Sequence, residues 1–457
     1  MAIAVEKLQE LVSLERGELD RSIFKGSEIF EQEMQMIFAR SWLFLCHESQ
    51  IRKKGDFFEA PMGRDNVLVV RQKDGSIKAL LNTCLHRGNA VCRAEEGNAR
   101  NFMCTYHGWT YDISGDLVGV PGLAELYHND LDTAANGLRE VAQLDTFMGF
   151  VFATADPEAP PLQEFLGRTG RLGLALIAAQ ADMEVVPGIQ KFVIPCNWKF
   201  AVDNLFDMYH PQITHLSAFR SGILPPLPDL TAGDRKVDTT GVETPDGSPM
   251  ELVDSTAGRE LVFIDHFGHA ISGRTIDAVG DMGGRIDNSW RDTPQMQELF
   301  GPMGRRSAGH ASIFPTMWVV PWINQVSLRI PRGPEETEFW WFTFVRRDAS
   351  AEQRAAAVQQ AVITFGPGGL AEQDDGENWV QATMQTHGQA SGKIPQLLKM
   401  NLGCGKVVRD DDSLDPPYIQ ASINEHGQLW NYHAWQQWMS GADWSEMREL
   451  TTPPDVL

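Results

Sequence analysis

No run of this chain approaches the length of a membrane-spanning helix, and Met1–Lys7 lacks the basic-then-apolar order of a secretory leader. Cysteine is scarce. The six are Cys46, Cys84, Cys92, Cys104, Cys196 and Cys404, and they show no disulfide spacing, which fits a reducing compartment. Positive charge is in deficit too: 39 Lys and Arg against 61 Asp and Glu leave a net charge of −22, which argues against nucleic acid and anionic membrane surfaces as partners. No internal repeat or low-complexity tract occurs. These absences point to a cytoplasmic chain that works without nucleic acid or membrane. What remains, 42% hydrophobic and 22% charged over 457 residues, suits a soluble enzyme of two domains.

One stretch concentrates chemistry. It reads Cys84-Leu-His86-Arg87-Gly88, then fifteen residues, then Cys104-Thr-Tyr-His107-Gly108-Trp109. Each end offers one thiolate and one imidazole, in the same order and on a short loop. A structural zinc site also takes two Cys and two His, but it usually pairs its cysteines locally and its histidines locally. The alternating order suits a Rieske [2Fe–2S] centre better, in which one iron takes two Cys and the other two His.

Texture divides the chain around this stretch. Residues 1–41 form a helical part, with a helix from Ser27, as its cap, to about Arg40 that sets Phe30, Met34, Ile37 and Phe38 on one face. In residues 42–156, short β-like runs such as Asn66–Arg71 and Met148–Ala153 predict a small antiparallel β domain carrying both loops. Pro157, Pro160 and Pro161 mark a linker into residues 157–457. There, strands are expected at Gly188–Pro195, Glu260–His266, Ser312–Pro331 and Glu336–Arg347. Helices are expected from Asn197, over Ala351–Ile363 and near Gln428–Met439, and residues 221–250 read as irregular structure.

A second constellation is Asp203-Asn-Leu-Phe-Asp207-Met-Tyr-His210-Pro-Gln-Ile-Thr-His215. On a helix, Asp207 and His210 would share a face, a spacing that suits a carboxylate holding a ligand imidazole in one tautomer. His210 and His215 would splay by roughly 140° on a straight helix. Pro211 makes a straight continuation unfavourable, and an ending helix could bring both rings to one metal. Two histidines and a carboxylate complete a facial triad with open positions for O₂. In Glu372-Gln-Asp374-Asp375-Gly-Glu-Asn-Trp379, a helix would place Asp375 on an apolar stripe with Ala371 and Trp379. Asp375 is therefore the expected ligand, and Asp374 a solvated or capping residue.

Together these segments resemble the large (α) subunit of Rieske non-heme iron aromatic ring-hydroxylating dioxygenases, over nearly the whole chain. The resemblance includes Phe30 to Trp42, both Cys-His loops, the Tyr209-His210…His215 element and Glu372 to Trp379, while Arg329-Ile-Pro-Arg-Gly-Pro334 looks like the biphenyl- and toluene-oxidising branch. It implies an α+β fold: a small antiparallel β Rieske domain plus a catalytic domain with a curved antiparallel sheet covered by helices. It implies Cys84, His86, Cys104 and His107 as cluster ligands, His210, His215 and Asp375 as ligands of a mononuclear Fe(II), and Asp207 as the carboxylate bridging the two centres. Asp203 to Asp207 is one residue shorter than in that branch, so Asn204 is given no role.

The implied activity is cis-dihydroxylation of an aromatic ring with O₂ and electrons from NADH, delivered through a flavin reductase and a ferredoxin. The implied assembly is a trimer, often α₃β₃ with a small β subunit. Phe206, Met208, Phe219, Phe365 and Ala371 are the candidate substrate pocket, and the small Ala371 suggests room for a bicyclic ring. None of these is cationic, which favours an apolar aromatic over an aryl acid, although Arg329 could bring a cation in. A Rieske electron carrier without oxygenase activity would leave most of the chain unexplained.

Overall fold

The computed structural model describes residues 5–224, 234–244, 247–254, 259–279, 288–390, 393–394, 397–403, 407–409, 416–420 and 422–454. The chain divides into two compact units, Phe38–Leu162 and the residues on either side, up to Ile37 and from Gln163. Of the expected irregular segment, residues 225–233 and 245–246 lie outside the described residues. Among the described residues no helix is long and apolar enough to cross a membrane.

The smaller unit is built of short antiparallel sheets. One runs in the order Ile77–Leu81, Asp65–Arg71, Asp56–Met62, Glu96–Asn98; a second Leu117–Gly119, Thr110–Asp112, Asn101–Met103; a third Gln143–Phe147, Phe150–Thr154, Leu43–His47. Met148 and Gly149, expected inside a strand, are instead its hairpin turn: both have positive φ, 49° and 86°, and Phe147 pairs with Phe150. That conformation matches the twist of the flanking strands. Phe57, Leu68, Val70, Phe102, Trp109 and Tyr111 pack with Cys84 and Cys104 in one buried core.

The larger unit is organised by an antiparallel sheet. Among the described residues its order is Met183–Val185, Glu336–Arg346, Gln325–Gly333, Met317–Val320, His310–Ile313, Ala270–Arg274, Glu260–Ile264, Tyr418–Ile419, and Gln190–Ile194 also pairs with Glu336–Arg346. The single run expected over Ser312–Pro331 is thus three strands. Register sets Ser312, Trp318, Ser327 and Trp341 opposite one another in a row. The small Ser327 between the two indoles lets their ring centroids approach to 5.6 Å. Helix Leu370–Gln385 covers this face, with Ala371 in the Trp318–Trp341 cluster and Trp379 stacked on Phe339 at 5.5 Å.

The helix expected from Ser27 is shorter and differently capped. It spans Ser27–Glu33 after a Gly26 cap without a side-chain bond, and the turns Met34–Phe38 are π-helical. Its last residue, Glu33, is fully buried and ties three helices together. Its carboxylate accepts from Trp198 Nε1 at 2.9 Å and Trp435 Nε1 at 2.8 Å and pairs with Lys199 Nζ at 2.5 Å. A buried ion pair needs such extra donors to offset its desolvation. This knot anchors helix Trp198–Asp203, the element that leads into the second constellation, against the tryptophan-rich helix His426–Met439.

Candidate metal centres

The two Cys-His loops are hydrogen-bonded alike. Cys84 N–H donates to Asn89 O, and Gly88 N–H to Cys84 O, both at 2.8 Å. Likewise Cys104 N–H donates to Trp109 O at 2.8 Å, and Gly108 N–H to Cys104 O at 2.9 Å. Each turn closes on a glycine at φ 72° or 76°, where a side chain would be strained. Both cysteines are buried, the His86 and His107 rings meet edge-to-face with centroids 4.4 Å apart, and Trp109 stacks on His86 at 5.0 Å. Nδ1 of each of these two imidazoles is buried without a protein partner. Such atoms are costly to leave unpaired, so two of them on neighbouring loops mark a ligand position. Tyr111 Oη lies 3.3 Å from Cys84 Sγ, and Asn89 Nδ2 lies 3.6 Å from Cys104 Sγ. Burial pushes the Cys104 thiol up, but the Tyr106 amide, the Asn89 and Cys84 side chains and the His107 amide outweigh it and leave the pKa below its ordinary value. Two buried sulfurs and two unpaired imidazole nitrogens fit a [2Fe–2S] cluster.

In the larger unit, Asn197 caps helix Trp198–Asp203 by accepting the Lys199 amide, and the chain tightens into a 3₁₀ turn at Asn204–Phe206. It then breaks at Asp207, which is extended at φ −92°, ψ 103°. Asp207 Oδ1 accepts the N–H groups of Tyr209 and His210, both at 3.0 Å, and so starts a new turn. Pro211 opens helix Pro211–Thr214, and His215 sits at its junction with Leu216–Arg220. Asp207 and His210 therefore meet through a capping turn rather than a shared helical face. The junction at His215 removes the splay that a straight helix would impose.

Both rings lie between carboxylates, His215 hydrogen-bonded through Nδ1 and His210 with its Nδ1 buried and without a hydrogen-bond partner. His210 Nδ1 lies 3.6 Å from Asp207 Oδ1, and its Nε2 lies 3.5 Å from Asp375 Oδ1. His215 Nδ1 lies 3.3 Å from Asp374 Oδ2, and its Nε2 lies 3.4 Å from the same Asp375 oxygen. Each imidazole thus has a carboxylate behind it and shares one in front. One ligand atom from each of His210, His215 and Asp375 lies within 4.8 Å of the others, an arrangement of two imidazoles and one carboxylate that could hold an iron ion. Burial would push the His210 imidazole down, but Asp207 and Asp375 reverse this and raise its pKa.

Two expectations change here. Asp374 is not merely solvated or capping, since it partners His215 from outside the buried stripe of Ala371, Asp375 and Trp379. Asn204, given no role, has its Nδ2 3.4 Å from His210 Nε2; the 3₁₀ turn at Asn204–Phe206 carries its amide to the site.

Of the expected pocket residues, Phe365 and Ala371 share a buried cluster with Leu205, Trp318, Val320 and Trp341. Phe365 stacks on Trp341 at 4.9 Å and meets Trp318 edge-on at 5.1 Å. Met208 Sδ lies 3.1 Å from Nε2 of His310, a residue the sequence reading did not single out. Phe206 packs against Gly427, where an added Cβ would come within 2.7 Å of it, and Phe219 is half-buried on helix Leu216–Arg220. Arg329 is 1% exposed; its Nε donates to Ala201 O at 3.0 Å and its guanidinium lies over Trp318 at 4.8 Å. Burial pushes the Arg329 pKa down to about 10, against the opposing pull of Glu372 and Asp375. Those two carboxylates act on it only through their charge, and its Nη1 is buried without a hydrogen-bond partner.

Comparison with known proteins gives a family for each part of the chain. Residues 41–139 match the family described as Rieske [2Fe-2S] domain, and residues 178–441 match Ring hydroxylating alpha subunit (catalytic domain). The chain is 38% identical to the biphenyl 2,3-dioxygenase subunit alpha of Rhodococcus jostii (strain RHA1), with 98% of this chain and 94% of that one covered. It is 35% identical to a benzene 1,2-dioxygenase subunit alpha of Pseudomonas putida, over 97% and 95%. The solved structure of naphthalene 1,2-dioxygenase with indole bound in the active site superposes with a TM-score of 0.81 at 29% identity, covering 96% of each chain. With both halves matched, the chain belongs to the ring-hydroxylating dioxygenase α-subunit family and combines a Rieske [2Fe–2S] domain with a mononuclear iron domain.

Proposed function

We propose that this chain is the terminal oxygenase component that cis-dihydroxylates an uncharged aromatic ring, consuming O₂, two protons and two electrons, the electrons originating in NADH. The observation that carries the reading is the convergence of His210, His215 and Asp375 beside the apolar cluster of Leu205, Trp318, Phe365 and Ala371. When bound, the [2Fe–2S] cluster supplies stored electrons and the mononuclear iron supplies the site of oxygen activation.

The protein's own groups do the rest. Cys84, His86, Cys104 and His107 hold the cluster, and His210, His215 and Asp375 hold the single iron. Asp374 orients His215 through a hydrogen bond to its Nδ1, and the Asp207 carboxylate stands behind His210 Nδ1 at 3.6 Å, where carboxylates support metal-bound histidines. Phe365, Trp341 and Ala371 shape a dry wall that orients the ring and keeps water from it. The inward engagement of Arg329 supports a neutral aromatic over an aryl acid.

The partners in this reading are a ferredoxin and a flavin reductase in the cytoplasm. The assembly is a closed trimer, with or without a small β subunit, in which Asp207 connects to His107 of the partner subunit. The test is product analysis with NADH, a ferredoxin and a reductase, offered benzene, biphenyl, naphthalene and benzoate. Dihydrodiols from the hydrocarbons support the reading, and turnover of benzoate alone overturns it.

A further inference from the structure

Three side chains beside the candidate iron site form a chain: Trp318, His310 and Met208. Trp318 Nε1 donates to His310 Nδ1 at 2.7 Å. An indole N–H can only donate, so Nδ1 must accept, and the proton of the neutral ring sits on Nε2. That nitrogen lies 3.1 Å from Met208 Sδ. His310 is 3% exposed, and burial, its largest influence, holds its pKa down to about 3. The donor is thus fixed in direction and neutral. Its partner is a thioether, a weak acceptor on a side chain with three rotatable bonds.

The chain also borders the place where a substrate would lie. His310 is two residues before Ser312, which pairs with Trp318, so His310 and Trp318 share a sheet face with Trp341. Trp318 belongs to the cluster of Phe365 and Ala371, and Met208 is two residues before His210.

We infer that His310 is a specificity-determining residue whose Nε2–H, aimed by Trp318 and covered by Met208, donates a hydrogen bond to an acceptor on the aromatic substrate. The favoured substrates are then uncharged aromatics carrying a ring nitrogen, an ether oxygen or a carbonyl. This rests on the oxygenase reading above and narrows its substrate class. A plain hydrocarbon leaves Nε2–H on the thioether. An acceptor-bearing ring displaces Met208 and offers a stronger lone pair in a low-dielectric pocket, where a hydrogen bond counts for more.

The shape-matched pair naphthalene and quinoline isolates this effect. With iron-loaded, cluster-bearing protein, two readouts are taken: the ratio of kcat/KM values for the pair, and the ratio of their dissociation constants for the oxidised protein without NADH. In His310→Phe the preference for quinoline should fall by about 3–10-fold in both readouts, the size of one ordinary hydrogen bond. Met208→Leu keeps the volume, removes the sulfur that competes for Nε2–H and should move the ratio the other way. Because His310→Phe can disturb the core, Met208→Leu carries the test by itself if that variant loses its Rieske spectrum or its iron. Ratios unchanged in Met208→Leu would overturn the inference. If the unaltered protein neither binds nor oxidises either compound, it is the oxygenase reading that fails.

Discussion

Asp374 Oδ2 lies 3.3 Å from Nδ1 of His215, which turns the other nitrogen of that ring toward Asp375. Two adjacent aspartates thus address the two edges of one imidazole. They should fail differently when replaced. Asp375→Ala should release the mononuclear iron and abolish turnover. Asp374→Ala should weaken iron retention by roughly 10–100-fold, as losing a supporting carboxylate does. Iron analysis after gel filtration, with the Rieske absorption as an internal control, reads both. Full iron in Asp375→Ala would remove it from the ligand set.

Asp207 separates structure from electron flow. Asp207→Asn keeps an oxygen that can accept the Tyr209 and His210 amides, so the capping turn should survive. It removes the charge beside His210 Nδ1. Iron content and the cluster spectrum should stay near normal while steady-state turnover collapses. In a single-turnover experiment, pre-reduced clusters should fail to reoxidise after substrate and O₂ are added. Prompt reoxidation would leave Asp207 as an orienting group only.

Ala371 is 2% exposed within the cluster of Trp318, Trp341 and Phe365. A phenylalanine there must take space from its neighbours, at a cost of about 1–3 kcal/mol in stability. The kcat/KM for biphenyl should fall far more than that for benzene, since small displacements of the reacting atoms are costly. Equal losses for both rings would place Ala371 outside the pocket.

His269 gives the pH dependence a direction. Its Nδ1 accepts the Phe314 amide and its Nε2 donates to Phe165 O, both inside the fold. Burial holds its pKa down to about 4, below the ordinary value of 6.5. Between those values the unfolded chain binds the proton and the folded one does not, so stability rises with pH across this window and levels off above it. The contribution is on the order of 3 kcal/mol, full above pH 6.5 and lost as pH falls toward 4. Urea midpoints of the intact protein between pH 4.5 and 7 should show this slope, and His269→Gln should flatten it. An unchanged slope in that variant would contradict the assignment.

The sequence made the metal chemistry legible because ligand types and their order are local facts. The Cys-x-His and Cys-x-x-His loops, the His210-Pro211 break and the stripe of Ala371, Asp375 and Trp379 each follow from spacing of a few residues. The supporting groups were not legible in the same way. Asp374 is off its helix's buried stripe and is defined by a ring 159 positions away. His310 gains its role only from strand register, which sets it on one face with Trp318. Asn204 was set aside on spacing, and its place beside His210 shows only in the 3₁₀ turn at Asn204–Phe206. The hairpin at Met148-Gly149 was hidden in an apolar run, since only backbone conformation distinguishes its turn from a strand.

The most direct measurement is mass spectrometry of the product made under ¹⁸O₂ by the iron-loaded protein with NADH, a ferredoxin and a reductase. Naphthalene should give a cis-dihydrodiol in which both oxygen atoms carry the label, and His210→Ala should give none. A product carrying one labelled oxygen, or none, would contradict dihydroxylation from a single O₂ at this site.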